Sequence, residues 1–281
     1  MAWSPRKPLQ EFIRQQVVVD AQLRKVLLAA SRDAKRRVLQ LAGHENIGAR
    51  VRAAQLELSQ RQLRMWADIG NVIEDGVRLN AKAVADVNEV FTDDLLRSMG
   101  VTPSDEFRRR MLVQANDTVK TYLAHQQHGM TLSERVYKNG EVASGRIERV
   151  VGNGILRGAS AKEIAKDVAG FINPHTPGGA SYAAMRLGRT ELNNSFHKAA
   201  IDQYAANPFV NKVEWKLSQS HPKPDECDDL VGKYNPDNVP GKPHPQCLCY
   251  ITPAVIPQSE LIRRFKRGEF DEWADGQLAA S

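Results

Sequence analysis

Three cysteines, Cys227, Cys247 and Cys249, lie within 23 consecutive residues of a 281-residue chain that uses the residue nowhere else. Two histidines, His221 and His244, fall alongside. His244-x-x-Cys247-x-Cys249 has the spacing of metal ligands. A strand beginning at the second cysteine would turn Cys247 and Cys249 to one face, because side chains alternate along a strand. His244, in a turn stiffened by Pro243 and Pro245, can swing to the same point. Cys227, across a 16-residue loop, would complete a Cys₃His set, a normal composition for structural zinc. Such a site can contribute roughly 10–16 kcal/mol to folding, against about 3 for a disulfide closing this loop. His221 and Asp225 are alternative ligands. Two other readings remain open: packed reduced thiols, and a disulfide from Cys227 to Cys247 or Cys249. His221 also reads as a solvent-facing turn residue.

Asp225, Glu226, Asp228 and Asp229 crowd the same loop. Paired carboxylates bind hard cations and can activate water, so a metal-dependent hydrolase of nuclease or peptidase type is the alternative function. A solvated acidic turn near Lys223 and Lys233 explains the same residues. The chain has no Gly-rich phosphate loop, no nucleophile elbow and no His-Glu-x-x-His zinc helix. Arg189 and Glu191 stand two apart on one helix and so cannot face each other. Each must find its partner elsewhere, and a buried pair there would orient the helix against the strand unit carrying Trp215.

The elements that must position this loop are mostly helical. Leu9, Phe12, Ile13, Val17, Leu23, Val26, Leu27, Ala30, Ala34, Val38 and Leu41 recur every three or four residues, an amphipathic stripe with Gly43 as its expected cap. A second helix starts near Ile47 through Val51, Ala54, Leu58, Leu63 and Trp66, with Gly70 and Gly76 interrupting. A third runs from Val77 to Leu95. Thr102-Pro103-Ser104-Asp105 opens a fourth to about Ala124. Thr131-x-x-Glu134 and Ser160-x-x-Glu163 are capping boxes; a break is expected at Asn139-Gly140. Ser181 to Ala206 reads as a long helix, Val213–Leu217 and Leu248–Thr252 as short strands, and Ser259–Lys266 as a last basic helix before a frayed tail from Asp275. The fold class is mainly α, with a long helical N-terminal region and a small α+β C-terminal domain. The expected division is residues 1–130, 131–255 and 256–281.

Charge is uneven. From Met1 to Arg64 there are 13 Lys/Arg against 5 Asp/Glu, whereas Met65 to Asn116 has 6 against 9. Arg24, Lys25, Arg32, Lys35, Arg36 and Arg37 form the candidate nucleic-acid face on the first helix, which a solvated helix surface explains equally. Little aromatic residue precedes Trp66, which argues against stacking on single strands. No apolar run approaches a membrane span, and the N-terminus lacks the apolar core of a secretory signal. Three cysteines suit a chain made in a reducing cytosol.

Taken as an ordered set, several of these residues resemble the phage Mu F-like, or minor head morphogenesis, family of tailed bacteriophages. They are Arg189-Thr190-Glu191, the Val213-Glu214-Trp215 strand, the Asp225-x-Cys227-Asp228 turn reaching Gly232, and Pro243-His244-Pro245-Gln246-Cys247-Leu248-Cys249 followed by Thr252-Pro253. The likeness covers about 65 residues and extends more weakly back to about residue 130. Many members carry Cys-x-x-Cys where this chain has Pro224-Asp225-Glu226-Cys227, which removes one ligand unless His221 or Asp225 takes its place. The resemblance implies a non-enzymatic, low-copy protein of the virion interior. Its implied partners are the portal protein and the major capsid or scaffold protein, with double-stranded DNA nearby and portal binding setting its oligomeric state. Assembly would take place in the host cytoplasm. Residues 1–130 carry no part of that likeness.

Overall fold

The computed structural model describes residues 4–41, 47–100, 105–127, 129–219, 221, 224–255 and 257–270. Among them are seven α-helices and one three-stranded antiparallel sheet, so the chain is mainly α with a small α+β element near its C-terminus. The helices are α1 (Lys7–Leu41), α2 (Ile47–Ser98), α3 (Asp105–Ala124), α4 (Leu132–Leu156), α5 (Ala161–Ile172), α6 (Gly179–Ala205) and α7 (Gln258–Lys266). The strands are β1 (Val210–Lys216), β2 (Gly232–Tyr234) and β3 (Tyr250–Val255), ordered β2-β1-β3. No described helix is long and apolar enough to cross a membrane.

The chain packs as two compact units. The sheet-bearing unit is Met1–Gln16, Gly76–Tyr122 and Thr190–Ser281; the helical unit is Val17–Asp75 and Leu123–Arg189. These ranges cut across the division expected near residue 130. The physical reason is that α1, α2 and α6 each supply residues to both units. No Pro- or Gly-rich linker marks those crossings, so composition gives no sign of them.

In the helical unit, Val19, Leu23, Leu27, Leu58, Ile69, Ile73, Ile147 and Val168 are buried to 1% exposure or less. Val17 of the expected α1 stripe instead lies exposed. The largest difference from expectation concerns glycine. Gly70 and Gly140 break neither α2 nor α4, which run continuously. A Cβ at Gly70 would stand 3.2 Å from the Val136 side chain, and one at Gly140 would stand 3.2 Å from Trp66 Cβ. The two glycines are notches that let α2 and α4 approach closely, a use that outweighs their cost of about 1 kcal/mol in helix propensity. Both capping boxes form: Glu134 N–H donates to Thr131 Oγ1 while Thr131 N–H donates to Glu134 Oε2 at 2.7 Å, and Ser160 with Glu163 repeats the pattern. The Gly43 cap, Val51, Thr102-Pro103-Ser104 and the tail from Asp275 lie outside the described residues or their described side chains.

In the sheet-bearing unit, β1 is central and buries Val213 and Trp215 completely. The C-terminal end of α2 meets α7 through a cluster of Leu96, Phe209, Leu261 and Phe270. Between α2 and α6 runs a ladder of buried amides. Asn80 donates to the Leu192 carbonyl and to Ser195 Oγ, Asn88 to Gln203, and Asn207 to Asn88 Oδ1 and Thr92 Oγ1, the last two at 2.9 Å. Glu191, with no exposed surface, accepts from Tyr122 Oη at 2.9 Å.

Candidate metal centre

The sheet positions the cysteines from two directions. Cys249 immediately precedes β3, whose first residue pairs with Lys216 of β1. Cys227 is held by the turn that leads to β2. There the Cys227 N–H donates to Asp225 Oδ1 at 2.7 Å, the Asp225 N–H donates to Asp228 Oδ2 at 2.8 Å, and a short 3₁₀ turn over Asp228–Leu230 follows. Cys247 is reached through Gln246, the one non-glycine with left-handed backbone among the described residues, at φ 59°. That reversal brings residues 244 and 247 round to the same loop. α6 fastens the turn from behind: Asn193 Nδ2 donates to the Cys247 carbonyl at 2.7 Å.

The result is three buried, reduced thiols whose sulfurs lie within 4.8 Å of one another. Cys227 Sγ and Cys247 Sγ are 3.4 Å apart. That is close to the roughly 3.8 Å between two sulfurs held at about 2.3 Å from one tetrahedral ion. His244 Nε2 stands 3.2 Å from Cys227 Sγ and 3.3 Å from Asp225 Oδ2, so these three form a neighbouring ligand set that shares Cys227. The imidazole's Nδ1 lies 3.0 Å from the Pro245 carbonyl. A carbonyl only accepts, so Nδ1–H donates to it and Nε2 is the ring nitrogen turned toward Cys227 and Asp225. Sulfur, carboxylate oxygen and that ring nitrogen converge, and once the thiol gives up its proton all three offer lone pairs. This is a donor set suited to a cation.

The sulfurs are not equivalent. Burial pushes the Cys227 thiol up to about 12. Cys247 is lowered by the hydrogen bond from Cys249 and, less, by the charge of Lys242; the shared hydrogen bond and burial raise Cys249. Cys247 is thus the first to ionise, but at 1% exposure it cannot reach a substrate as a nucleophile. The group is built to be occupied from within rather than to attack from the surface.

His221 sits outside this pair of sets. Its Nε2 is 2.9 Å from Asp228 Oδ2 and 3.7 Å from Asp225 Oδ1, forming a third set with those carboxylates. The hydrogen bond to Asp228 raises its pKa. Both acids are already engaged by backbone N–H groups, which accounts for their arrangement without an ion. Cys227 forms no disulfide to Cys247 or Cys249; all three cysteines are free.

The other residues singled out in the sequence lie elsewhere. Arg189 does not orient α6 against the sheet. Its Nη2 donates to Asp20 Oδ2 of α1 at 2.6 Å, inside the helical unit, while Glu191 is buried in the sheet-bearing unit. Residues two apart on a helix face nearly opposite ways, so one helix serves two separate partners. Of the basic α1 face, Lys25, Arg32 and Lys35 are exposed and Arg24 is half-buried. Arg36 pairs with Asp33, and Arg37 with Glu57, in a network that Arg61 closes.

Sequence reasoning missed the support behind the thiols. Asn193 and His197, one turn apart on α6, face the loop. The His197 ring meets Trp215 edge-on at 5.1 Å, and its Nε2–H donates to the Pro240 carbonyl at 2.9 Å. Lys242 Nζ donates to the Cys249 carbonyl and lies 5.6 Å from the Trp215 ring centroid. The Asn-x-x-x-His spacing was the available signal.

The class defined by fold and site is a mainly α protein with a small antiparallel sheet whose loops gather three buried thiols that could hold a metal ion. No family model, curated protein or solved structure matches the chain.

Proposed function

We propose that the chain is a structural, non-enzymatic minor head protein of a tailed bacteriophage, its sheet-bearing unit pinned by one zinc ion. Cys227, Cys247 and Cys249 hold that ion, with His244 as fourth ligand and Asp225 the competitor for that place. Zinc suits the set because soft thiolates with one imidazole in a four-ligand group are its usual structural company. The ion fixes the loop between β2 and β3, which has few apolar side chains of its own.

One observation carries the reading. From Glu191 onward the ordered motif set falls in one unit, in which Glu191 and Trp215 are buried and Cys227, Cys247 and Cys249 meet. The burial of all three thiols supports a structural role. The protein associates with the portal vertex and with capsid or scaffold in the assembling head and remains in the virion interior. Lys25, Arg32 and Lys35 are the residues free to face packaged DNA.

The test pairs elemental analysis of purified protein with a pull-down against the portal protein of the same phage. One zinc per chain and co-purification with portal are expected. Normal infectious particles assembled without this protein would overturn the head assignment. For the alternative, hydrolysis of nucleic acid or peptide that EDTA abolishes, and that Asp225→Ala removes, would replace it.

A further inference from the structure

Within the helical unit an open groove of about 610 Å³ follows the seam of α1 and α2, with residues 22–34 along one wall and 61–75 along the other. Its floor is apolar: Val26, Ala30 and Val72 are half-buried and Ala29 is exposed. Its rim carries both signs of charge. Arg61 and Asp33 pair with each other, whereas Lys25, Arg64, Asp68 and Asp75 are exposed and pair with no described residue. The Arg61–Asp33 and Arg37–Glu57 pairs set α1 and α2 antiparallel, which brings Lys25 level with Asp68 across the groove. Arg64, Asp68 and Asp75 follow at steps of four and seven residues, so they share one face of α2. Free charge therefore runs in order along the groove. It is positive at Arg64, balanced at the level of Lys25 and Asp68, and negative at Asp75.

We propose that this groove is where two copies of the chain dock, their α2 helices antiparallel and Arg64 of each against the partner's Asp75. The charge order is self-complementary. A two-fold axis brings each positive end onto a negative one, and the level of Lys25 and Asp68, near the axis, carries equal charge of both signs. A parallel arrangement would set Arg64 on Arg64 and Asp75 on Asp75. A uniformly acidic or basic partner would meet one attracting end and one repelling end. Docking here is independent of the metal centre, which lies in the other unit. Arg32 and Lys35 line none of the groove, so it leaves them outside. The walls are about 20 Å long and the helix pair about 20 Å wide, on the order of 400 Å² per copy, half of what a tight complex buries on each side. A weak, salt-sensitive dimer is therefore expected, dissociating at roughly 10–100 µM.

The experiment is sedimentation equilibrium of the full chain, from about tenfold below to about tenfold above that range. Wild type should show a monomer–dimer equilibrium that added salt weakens. Arg64→Glu and Asp75→Arg, both on exposed surface, should each weaken the dimer by roughly tenfold or more, with helical content and thermal unfolding unchanged. The double variant Arg64→Glu/Asp75→Arg remakes every pair with its signs exchanged and should return to within about threefold of wild type. An equimolar mixture of the two single variants should do the same, because each copy then supplies the charge the other lacks. Only an antiparallel self-docked pair gives both rescues. A chain that stays monomeric over the whole range would overturn the proposal. So would a dimer that the single reversals leave unchanged, or one that the double variant or the mixture fails to restore.

Discussion

The helical unit and the sheet-bearing unit keep different things out of water. In the helical unit the interior is leucine, isoleucine, valine and Trp66, and helices close on one another where glycine leaves room. Its buried polar side chains are a few hydroxyls and Gln62. The interior of the sheet-bearing unit includes a carboxylate, an imidazole, a ladder of amides and three thiols. Apolar packing is non-directional and tolerates repacking. A buried polar group requires a partner in one geometry, and leaving it unmet costs more than making the bond gains. The comparison teaches that the unit carrying the site depends on a few directional contacts, whereas the other depends on many weak ones.

The sharpest way to break that contrast is to remove the ion or a ligand. Cys247→Ala, or chelation, should abolish metal binding worth on the order of 10 kcal/mol and melt the sheet region while α4 and α5 persist. Loss of the near-ultraviolet signal from Trp215, with most far-ultraviolet helical signal retained, is the expected result. Simultaneous loss of both would show the two units to be one cooperative structure.

Acid should separate the units next. The folded state refuses a proton at His197, held near about 3, while the unfolded state accepts one below its usual 6.5. Stability of the sheet-bearing unit therefore falls as pH drops from about 6.5 toward 3, by up to about 1.4 kcal/mol per pH unit. In the helical unit, Asp33 is lowered by its hydrogen bond with Arg36 and by Arg61, and Glu57 by Arg37 and Arg61. Those contributions are complete above the ordinary carboxylate range and are lost only as pH falls through the depressed values. Denaturation followed by segment-resolved hydrogen exchange should show the sheet-bearing unit opening first, and His197→Gln should flatten the slope between pH 6.5 and 4.

Gly179→Ala tests the helical unit. The backbone there has φ 72°, and a Cβ would stand 2.3 Å from the Phe171 carbonyl oxygen. A loss of about 3 kcal/mol is expected in thermal or denaturant unfolding, with zinc content unchanged. Asn88→Ala makes the smaller comparison in the sheet-bearing unit. It strips Asn207 and Gln203 of their shared partner and should cost about 2 kcal/mol. A loss well below 1 kcal/mol would mean that the amide ladder contributes little.

Much of the fold was legible because the relevant forces are local. Thr131 with Glu134 and Ser160 with Glu163 announced two helix starts that form as read. The Val213–Leu217 and Leu248–Thr252 strands were visible in alternation, and they became β1 and β3 nearly in place. β2 was not, since three residues, Gly232-Lys233-Tyr234, carry no period. Gly70 and Gly140 were misread because a glycine that ends a helix and one that admits a neighbouring helix are the same letter. Only the Cβ clearance to Val136 and Trp66 tells them apart. Cys227, Cys247 and Cys249 are legible from spacing; Asn193 and His197 offer only an Asn-x-x-x-His spacing on α6, and Lys242 no local pattern at all.

By itself the sequence determined a mainly α chain, the helix starts at Thr131 and Ser160, two of three strands and the thiol-rich loop, because capping, periodicity and spacing act over a few residues. The start expected at Val77 is instead the unbroken continuation of α2. Tertiary structure alone decided that α1, α2 and α6 are shared between two packing units, that Arg189 and Glu191 serve different ones, and that Lys242 reaches the Cys249 carbonyl. Those outcomes depend on which residues meet across long stretches of chain. Burial and charge balance settle such meetings only when the whole interior closes.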